Sequence, residues 1–205
     1  MKNGVMGVKV YGDLQSGNCY KIKLMCALLG IQHDWVHMDI LAGDTRNEAF
    51  GEKNPNQKIP VIELADGRLL WESNAIINFL AQGSSLLPEA PFDLAKVQQW
   101  QFFEQYSHEP YIAVARFINK YLGLPEDRKA EFETKQAGGR KALSVMENQL
   151  AQTQYLVGDC LTTADISLYA YTHVANEGGF SLDAYPCVTA WLERIRSQPQ
   201  FVPLG

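Results

Sequence analysis

A chain of 205 residues, 46% of them hydrophobic and 20% charged, has material for one sizeable core or two small ones. Its formal charge of -5 leaves no basic stripe with interleaved aromatics for a phosphate backbone, and no apolar run approaches the roughly 18 to 20 residues of a membrane helix, so neither nucleic acid nor membrane is an expected partner. The opening MKNGVMGVKVYGD lacks the apolar core and cleavage site of a secretory signal, which makes a cytoplasmic protein the expectation.

VKVYG (8–12) alternates as a short strand does. CYKIKLMCALL (19–29) carries Ile22, Leu24, Met25, Leu28 and Leu29 at helical spacing, and Gly30 stands where a helix end wants a left-handed residue. HDWVHMDI (33–40) has the β-branched and aromatic content of a second strand, so the three elements imply a parallel crossover. After a polar stretch, IPVIEL and RLLW flank Ala65-Asp66-Gly67 as an antiparallel hairpin. From Ser73, NAIINFLAQG reads as a helix with Ile76, Ile77, Phe79 and Leu80 on its apolar face and Gly83 at its end.

The Gly, Ser and Pro of GSSLLPEAP suit a surface connection, which divides the chain into an α/β domain over 1–83, a linker over 84–92 and an all-helical domain over 93–205. Beyond the linker strand signals vanish; helices are expected over 93–121, 127–152, 163–177 and 187–197, with Pro125 separating the first two. Cys19, Cys26, Cys160 and Cys187 show no CxxC pairing, and His33, His37, His108 and His173 no metal-like spacing. Free thiols, no metal and no cofactor are expected.

Three segments could carry chemistry. Ser16-Gly17-Asn18-Cys19 lies between the first strand and the first helix, where backbone N–H groups favour an anion such as a thiolate; standing alone it reads equally as a helix cap. Asn54-Pro55-Asn56-Gln57-Lys58-Ile59-Pro60-Val61 places an apolar residue before a proline at the mouth of a strand, as for a cis peptide that offers backbone groups to an extended ligand, or as an ordinary loop. Trp71-Glu72-Ser73-Asn74-Ala75-Ile76 opens the third helix with a carboxylate and a hydroxyl, a mixture suited to a zwitterion, or a plain cap.

Taken together, SGNC, NPNQKIP and ESNAI in this order resemble the cytosolic glutathione transferases over nearly the whole chain. The resemblance implies a thioredoxin-like N-terminal domain with βαβ then ββα order, an all-α C-terminal domain, a homodimer, and detoxification by conjugating glutathione, a co-substrate, to small electrophiles. It makes Ser16, then Asn18, the thiol-activating candidates. Ile59, Pro60 and Lys58 would contact the cysteinyl and glycyl units, Glu72 and Ser73 the γ-glutamyl head group, and Arg46 the glycine carboxylate. Gln57 departs from the family's usual glycine and leaves the course of that loop open.

In the helical half, Thr162 and Asp165 form a capping box, with Asp in place of the usual Glu or Gln and Leu161 and Ile166 at staple spacing. The aromatic run 100–117, interrupted by Pro110, borders the electrophile pocket in the family, which makes Tyr106, His108, Tyr111, Arg116 and Phe117 candidates; most such aromatics serve as interhelical core. Two other functions fit the same resemblance: a glutathione-dependent disulfide reductase or peroxidase, whose protein-thiol form would need a cysteine at Ser16 with Cys19 as resolver, and a non-catalytic glutathione-fold binding module.

Overall fold

The computed structural model describes residues 7–205, and the first six residues of the expected opening run lie outside them. The chain forms two compact units, Met1–Leu87 with Gln198–Gly205, and Pro88–Ser197. The division falls inside the connection expected at 84–92. The segment 198–205, assigned by sequence to the helical half, belongs instead to the first unit: Tyr20 donates its hydroxyl to Val202 O at 2.7 Å, Lys23 Nζ donates to Pro203 O at 2.9 Å, and Gln15 Nε2 donates to Gly205 O. With no helical period of its own, this stretch offers its carbonyls to donors along the first helix.

The first unit contains β1 (Val8–Gly12), α1 (Gly17–Leu29), β2 (His33–His37), α2 (Glu48–Lys53), β3 (Val61–Glu63), β4 (Leu69–Trp71) and α3 (Ser73–Leu80). The sheet runs β2-β1-β3-β4, with β1 and β2 parallel (Val10 opposite Trp35) and the others antiparallel (Val10 opposite Ile62, Ile62 opposite Leu70). This is the thioredoxin-like arrangement the resemblance implies. Helices α1 and α3 pack together and bury Ile22, Leu24, Met25, Ile76, Ile77 and Leu80, whose removal from water supplies the main driving force for docking.

α1 ends at Gly30, whose φ of 65° is the left-handed C-cap expected there. The hairpin turn is a three-residue loop: Gly67 alone of its residues takes positive φ, and Leu64 N donates to Arg68 O across it. Helix α2 has no counterpart among the sequence expectations. Asn47 caps it by accepting from Phe50 N at 2.9 Å, and Phe50 plugs a small core with Tyr11, Met38 and Val61, beneath half-buried Ile59.

The second unit is helical: α4 (Pro91–Phe103), α5 (Glu109–Arg116), α6 (Lys129–Leu150), α7 (Thr163–Thr172) and α8 (Pro186–Arg196). A π turn, Glu104–His108, makes α4 and α5 one continuous run, and a second, Phe117–Tyr121, extends it beyond α5. The interruption expected at Pro110 takes this form: Glu109 N–H donates to Glu104 O, five residues back, and the widened turn accommodates a proline with no N–H of its own. Gly138 and Gly139 let α6 come close to its neighbours. A Cβ would meet the Tyr111 ring at 2.2 Å from Gly138 and the Phe180 ring at 2.2 Å from Gly139.

The capping box forms at α7. Asp165, fully buried, accepts from Thr162 N at 2.9 Å and Thr162 Oγ1 at 3.0 Å, and also from Leu156 N and Trp191 Nε1, each at 2.9 Å. Burial pushes its carboxyl upward, and these four donors pull the other way.

Candidate functional site

Three segments of the first unit carry the polar residues singled out by the sequence. At the start of α1, Ser16 is the N-cap, extended at φ -75° and ψ 126°, and its Oγ accepts from Cys19 N at 3.4 Å. That contact is long for a hydrogen bond, so the hydroxyl is weakly committed to the cap and retains its own proton to donate. Asn18 follows on the first turn, also half-buried. Helix starts leave backbone donors without intrahelical acceptors and carry partial positive charge, which suits a sulfur anion.

Cys19 points into the interior and is completely buried. Burial pushes its thiol up to about 12, with the Ser16 hydroxyl opposing the shift, so it carries no thiolate at neutral pH.

The second segment is the loop before β3. Asn54, 2% exposed, ties it together: its Nδ2 donates to Lys58 O at 2.7 Å, its Oδ1 accepts from Asn56 N at 2.9 Å, and its carbonyl accepts from Gln57 N at 2.9 Å. Gln57 takes φ of 52°, the left-handed conformation a glycine would adopt without penalty. The Ile59–Pro60 bond is cis. Lys58 is exposed, Ile59 half-buried and Pro60 buried.

The third segment opens α3. Glu72 is the N-cap residue, with φ of 71° and ψ of 108° and no side-chain cap bond, so its carboxylate is exposed and uncommitted to the helix. A positive φ on a side-chain-bearing residue costs of order 1 to 3 kcal/mol and concentrates at functional sites. Ser73, expected as a cap, is instead the first helical residue. Its buried hydroxyl accepts from Lys21 Nζ at 3.2 Å and donates to Asn18 Oδ1 at 3.2 Å. The starts of α1 and α3 are thereby joined through side chains 55 residues apart in sequence. Arg46 is exposed, in the turn leading to α2, and no contact joins it to this group.

Sequence reasoning missed Lys21. A lysine on a helix reads as a solvated charge, yet this one is 0% exposed. The signal available was its place one turn after Ser16, between the apolar Tyr20 and Ile22.

In the second unit the structure separates the proposed pocket residues. His108 is completely buried, with Nε2 2.9 Å from Thr172 Oγ1, and Arg116 is 2% exposed with Nε on Glu177 Oε2 at 2.5 Å. Both are held in the interior of the helical unit, which corrects their assignment as polar contacts to a substrate. Tyr111 is half-buried against Gly138, Phe117 stacks on Tyr121 with centroids 5.3 Å apart, and Tyr106 is 88% exposed. Among the described residues, no group of three or more His, Cys, Asp or Glu side chains is placed to hold a metal.

Family models match both parts of the chain: glutathione S-transferase, N-terminal domain, over residues 15–82, and glutathione S-transferase, C-terminal domain, over residues 100–199. A crystal structure of a glutathione S-transferase from Pseudomonas fluorescens [Pf-5] is similar at 62% identity and a TM-score of 0.95, covering 96% of this chain and 98% of that one. A glutathione S-transferase from Hyoscyamus muticus is 30% identical over 95% of each chain. A maleylacetoacetate isomerase from Methylobacterium extorquens AM1, crystallised with malonate and GSH bound, is similar at 25% identity and a TM-score of 0.79, covering 94% of this chain and 93% of that one.

Proposed function

The chain belongs to the glutathione S-transferase family, and from that premise we propose that its first unit holds glutathione with the thiol at the start of α1 and the γ-glutamyl head group at the start of α3. The protein is a glutathione transferase, conjugating the thiol to small electrophiles. The observation that carries the assignment of sites is the contact between Asn18 and Ser73, which draws two helix starts, each a natural anion site, into one polar group.

In this reading Ser16 and Asn18 donate to the sulfur. A free thiol with a pKa of about 8.5 is only a few per cent thiolate at neutral pH, and lowering it by about two units makes the anion dominant. One or two charge-assisted hydrogen bonds, at about 1.5 to 3 kcal/mol each, are enough. Glu72 accepts from the γ-glutamyl ammonium while the backbone N–H of Ser73, at the α3 N-terminus, receives its carboxylate. The backbone of Ile59 before Pro60 pairs with the cysteinyl unit. Lys58 and, at longer reach, Arg46 are cations for the glycyl carboxylate. With glutathione held and ionised, catalysis is positioning and charge stabilisation of the attacking sulfur.

Tyr106, Tyr111 and Phe117 remain the aromatic candidates for contacts with an apolar electrophile. The protein would act as a homodimer in cytoplasmic detoxification; exposed Phe92 and Phe102, both on α4, support a face covered by a second copy. Among the described residues no helix is long and apolar enough to cross a membrane. A protein-thiol reductase is disfavoured by the burial of Cys19 and by a serine at position 16.

The test is conjugation of an aryl halide, followed with the ultraviolet absorbance of bound thiolate against pH. Wild type should titrate well below free glutathione, and Ser16→Ala and Asn18→Ala should each move the midpoint upward. Glutathione binding with no conjugation at any pH would reassign the protein as a binding module.

A further inference from the structure

Lys21 sits on the second turn of α1 with no solvent-accessible surface, and its Nζ lies 3.2 Å from Ser73 Oγ. An ammonium has donors and no acceptor, so along this contact Ser73 Oγ must accept. A hydroxyl owns a single proton, and that of Ser73 goes to Asn18 Oδ1 at 3.2 Å. A carboxamide whose carbonyl is engaged presents its NH2 end elsewhere.

We propose that Lys21 is a positioning residue for the thiol: its cation takes one lone pair of Ser73 Oγ and turns the Ser73 proton away from itself, toward the Asn18 carbonyl, which favours Asn18 as a donor to the sulfur. The proposal rests on the reading above in which the thiol is held at the start of α1. The alternative arrangement shows what Lys21 disfavours. Without a cation to orient it, the Ser73 proton can turn elsewhere, and the Asn18 amide can rotate by half a turn and donate to Ser73 itself. Its carbonyl would then face the sulfur, and a dipole that stabilised the anion would repel it. The order Lys21 to Ser73 to Asn18 decides the sign of that interaction, and the buried charge polarises the chain in the same direction. The arrangement also ties the γ-glutamyl subsite to the thiol subsite, because Ser73 belongs to both.

Lys21→Met keeps an unbranched stem of similar length and removes the charge. The thiolate absorbance of bound glutathione should then titrate about one unit higher, and kcat at neutral pH should fall up to tenfold and recover at alkaline pH, with KM for glutathione changed far less. Made in an Asn18→Ala background, the same substitution should add no further shift. An equal shift in both backgrounds, or none in the wild-type background, overturns the proposal. A measurement on the unaltered protein stands beside these variants: the Asn18 side-chain NH2 resonance, identified by its loss in Asn18→Ala, should move with the titration of the bound thiol, and a resonance indifferent to that titration overturns the proposal. If wild type conjugates with a lowered thiol midpoint while Lys21→Met titrates identically, only the role of Lys21 falls; if wild type neither lowers the midpoint nor conjugates, the assignment of the thiol site falls with it.

Discussion

Both units bury polar side chains, and they do so to different ends. In the helical unit the buried groups bond to residues of that same unit: Asp165 takes donors from Leu156, Thr162 and Trp191, His108 meets Thr172, and Arg116 meets Glu177. In the first unit the buried Lys21 and Ser73 lead outward to half-buried Asn18, beside Glu72 held at positive φ. A network held in the interior contributes specificity to the fold, whereas one that leads to a half-exposed amide, near a residue of strained backbone, has capacity left for a ligand. Substitutions in the helical unit should therefore change stability, and those in the first unit chemistry.

The largest expected effect tests the interior of the helical unit. Asp165→Ala strands the Leu156 and Thr162 amides and the Trp191 indole N–H at once. The cost should be about 3 to 5 kcal/mol, beyond the loss of a surface cap, read as a lower urea midpoint, with turnover per folded molecule retained. Retained stability with lost turnover would erase the contrast.

His173, stacked on Tyr169 with its Nδ1 2.8 Å from Tyr169 O, extends the test to pH. Burial holds its imidazole down at about 4, with Arg196 and Arg116 adding to the shift and the Tyr169 carbonyl opposing it. An unfolded histidine titrates near 6.5. The unfolded chain thus binds the proton first: the stabilising contribution is complete above about pH 6.5 and is lost as pH falls toward 4, by up to about 3 kcal/mol. His173→Asn should flatten urea midpoints across that window, and an unchanged slope would assign the acid sensitivity elsewhere.

In the first unit, Glu72→Ala should weaken glutathione binding by about 2 kcal/mol, roughly thirtyfold in Kd by calorimetry, because the ammonium loses its charged acceptor. Its thermal midpoint should hold or rise, since an alanine at that φ is no more strained and leaves no buried partner stranded. A large drop in stability with normal affinity would place Glu72 among the structural groups. Smallest of all, Gln57→Gly should stabilise by about 0.5 kcal/mol: relief of left-handed strain of about 1 to 2 kcal/mol is offset by the greater freedom of glycine in the unfolded chain. Destabilisation would show that the Gln57 side chain holds the loop.

The elements written in local chemistry were legible before the structure: β1, α1 with Gly30, the hairpin around Gly67, α3, and the Thr162–Asp165 box all follow from periodicity, a cap or a turn residue. α2 was not, because six residues with a single buried side chain, Phe50, are too short to show a period and depend on the Asn47 cap and the core beneath it. His108 and Arg116 were drawn toward a pocket because polar residues in an aromatic run look unpartnered; their partners lie 64 and 61 residues further on, a distance local patterns do not span. Of the candidate site, the three segments were legible as motifs. That Ser73 would turn inward to Lys21 and Asn18 was not, since the direction of a hydroxyl depends on which helix packs beside it.

The segment 198–205, resting on Tyr20 and Lys23 of α1, gives the first unit a seam in time as well as in space. A ribosome delivers the chain from its N-terminal end, so the sheet and α1 through α3 emerge early, while the strap across α1 arrives only after every helix of the second unit has left the exit tunnel. The first unit is begun before the second and completed after it. A translation arrest or a proteolytic cut after α8 would leave a molecule with every helix and strand named above but an unstrapped α1, the helix whose start carries both candidate donors to the thiol.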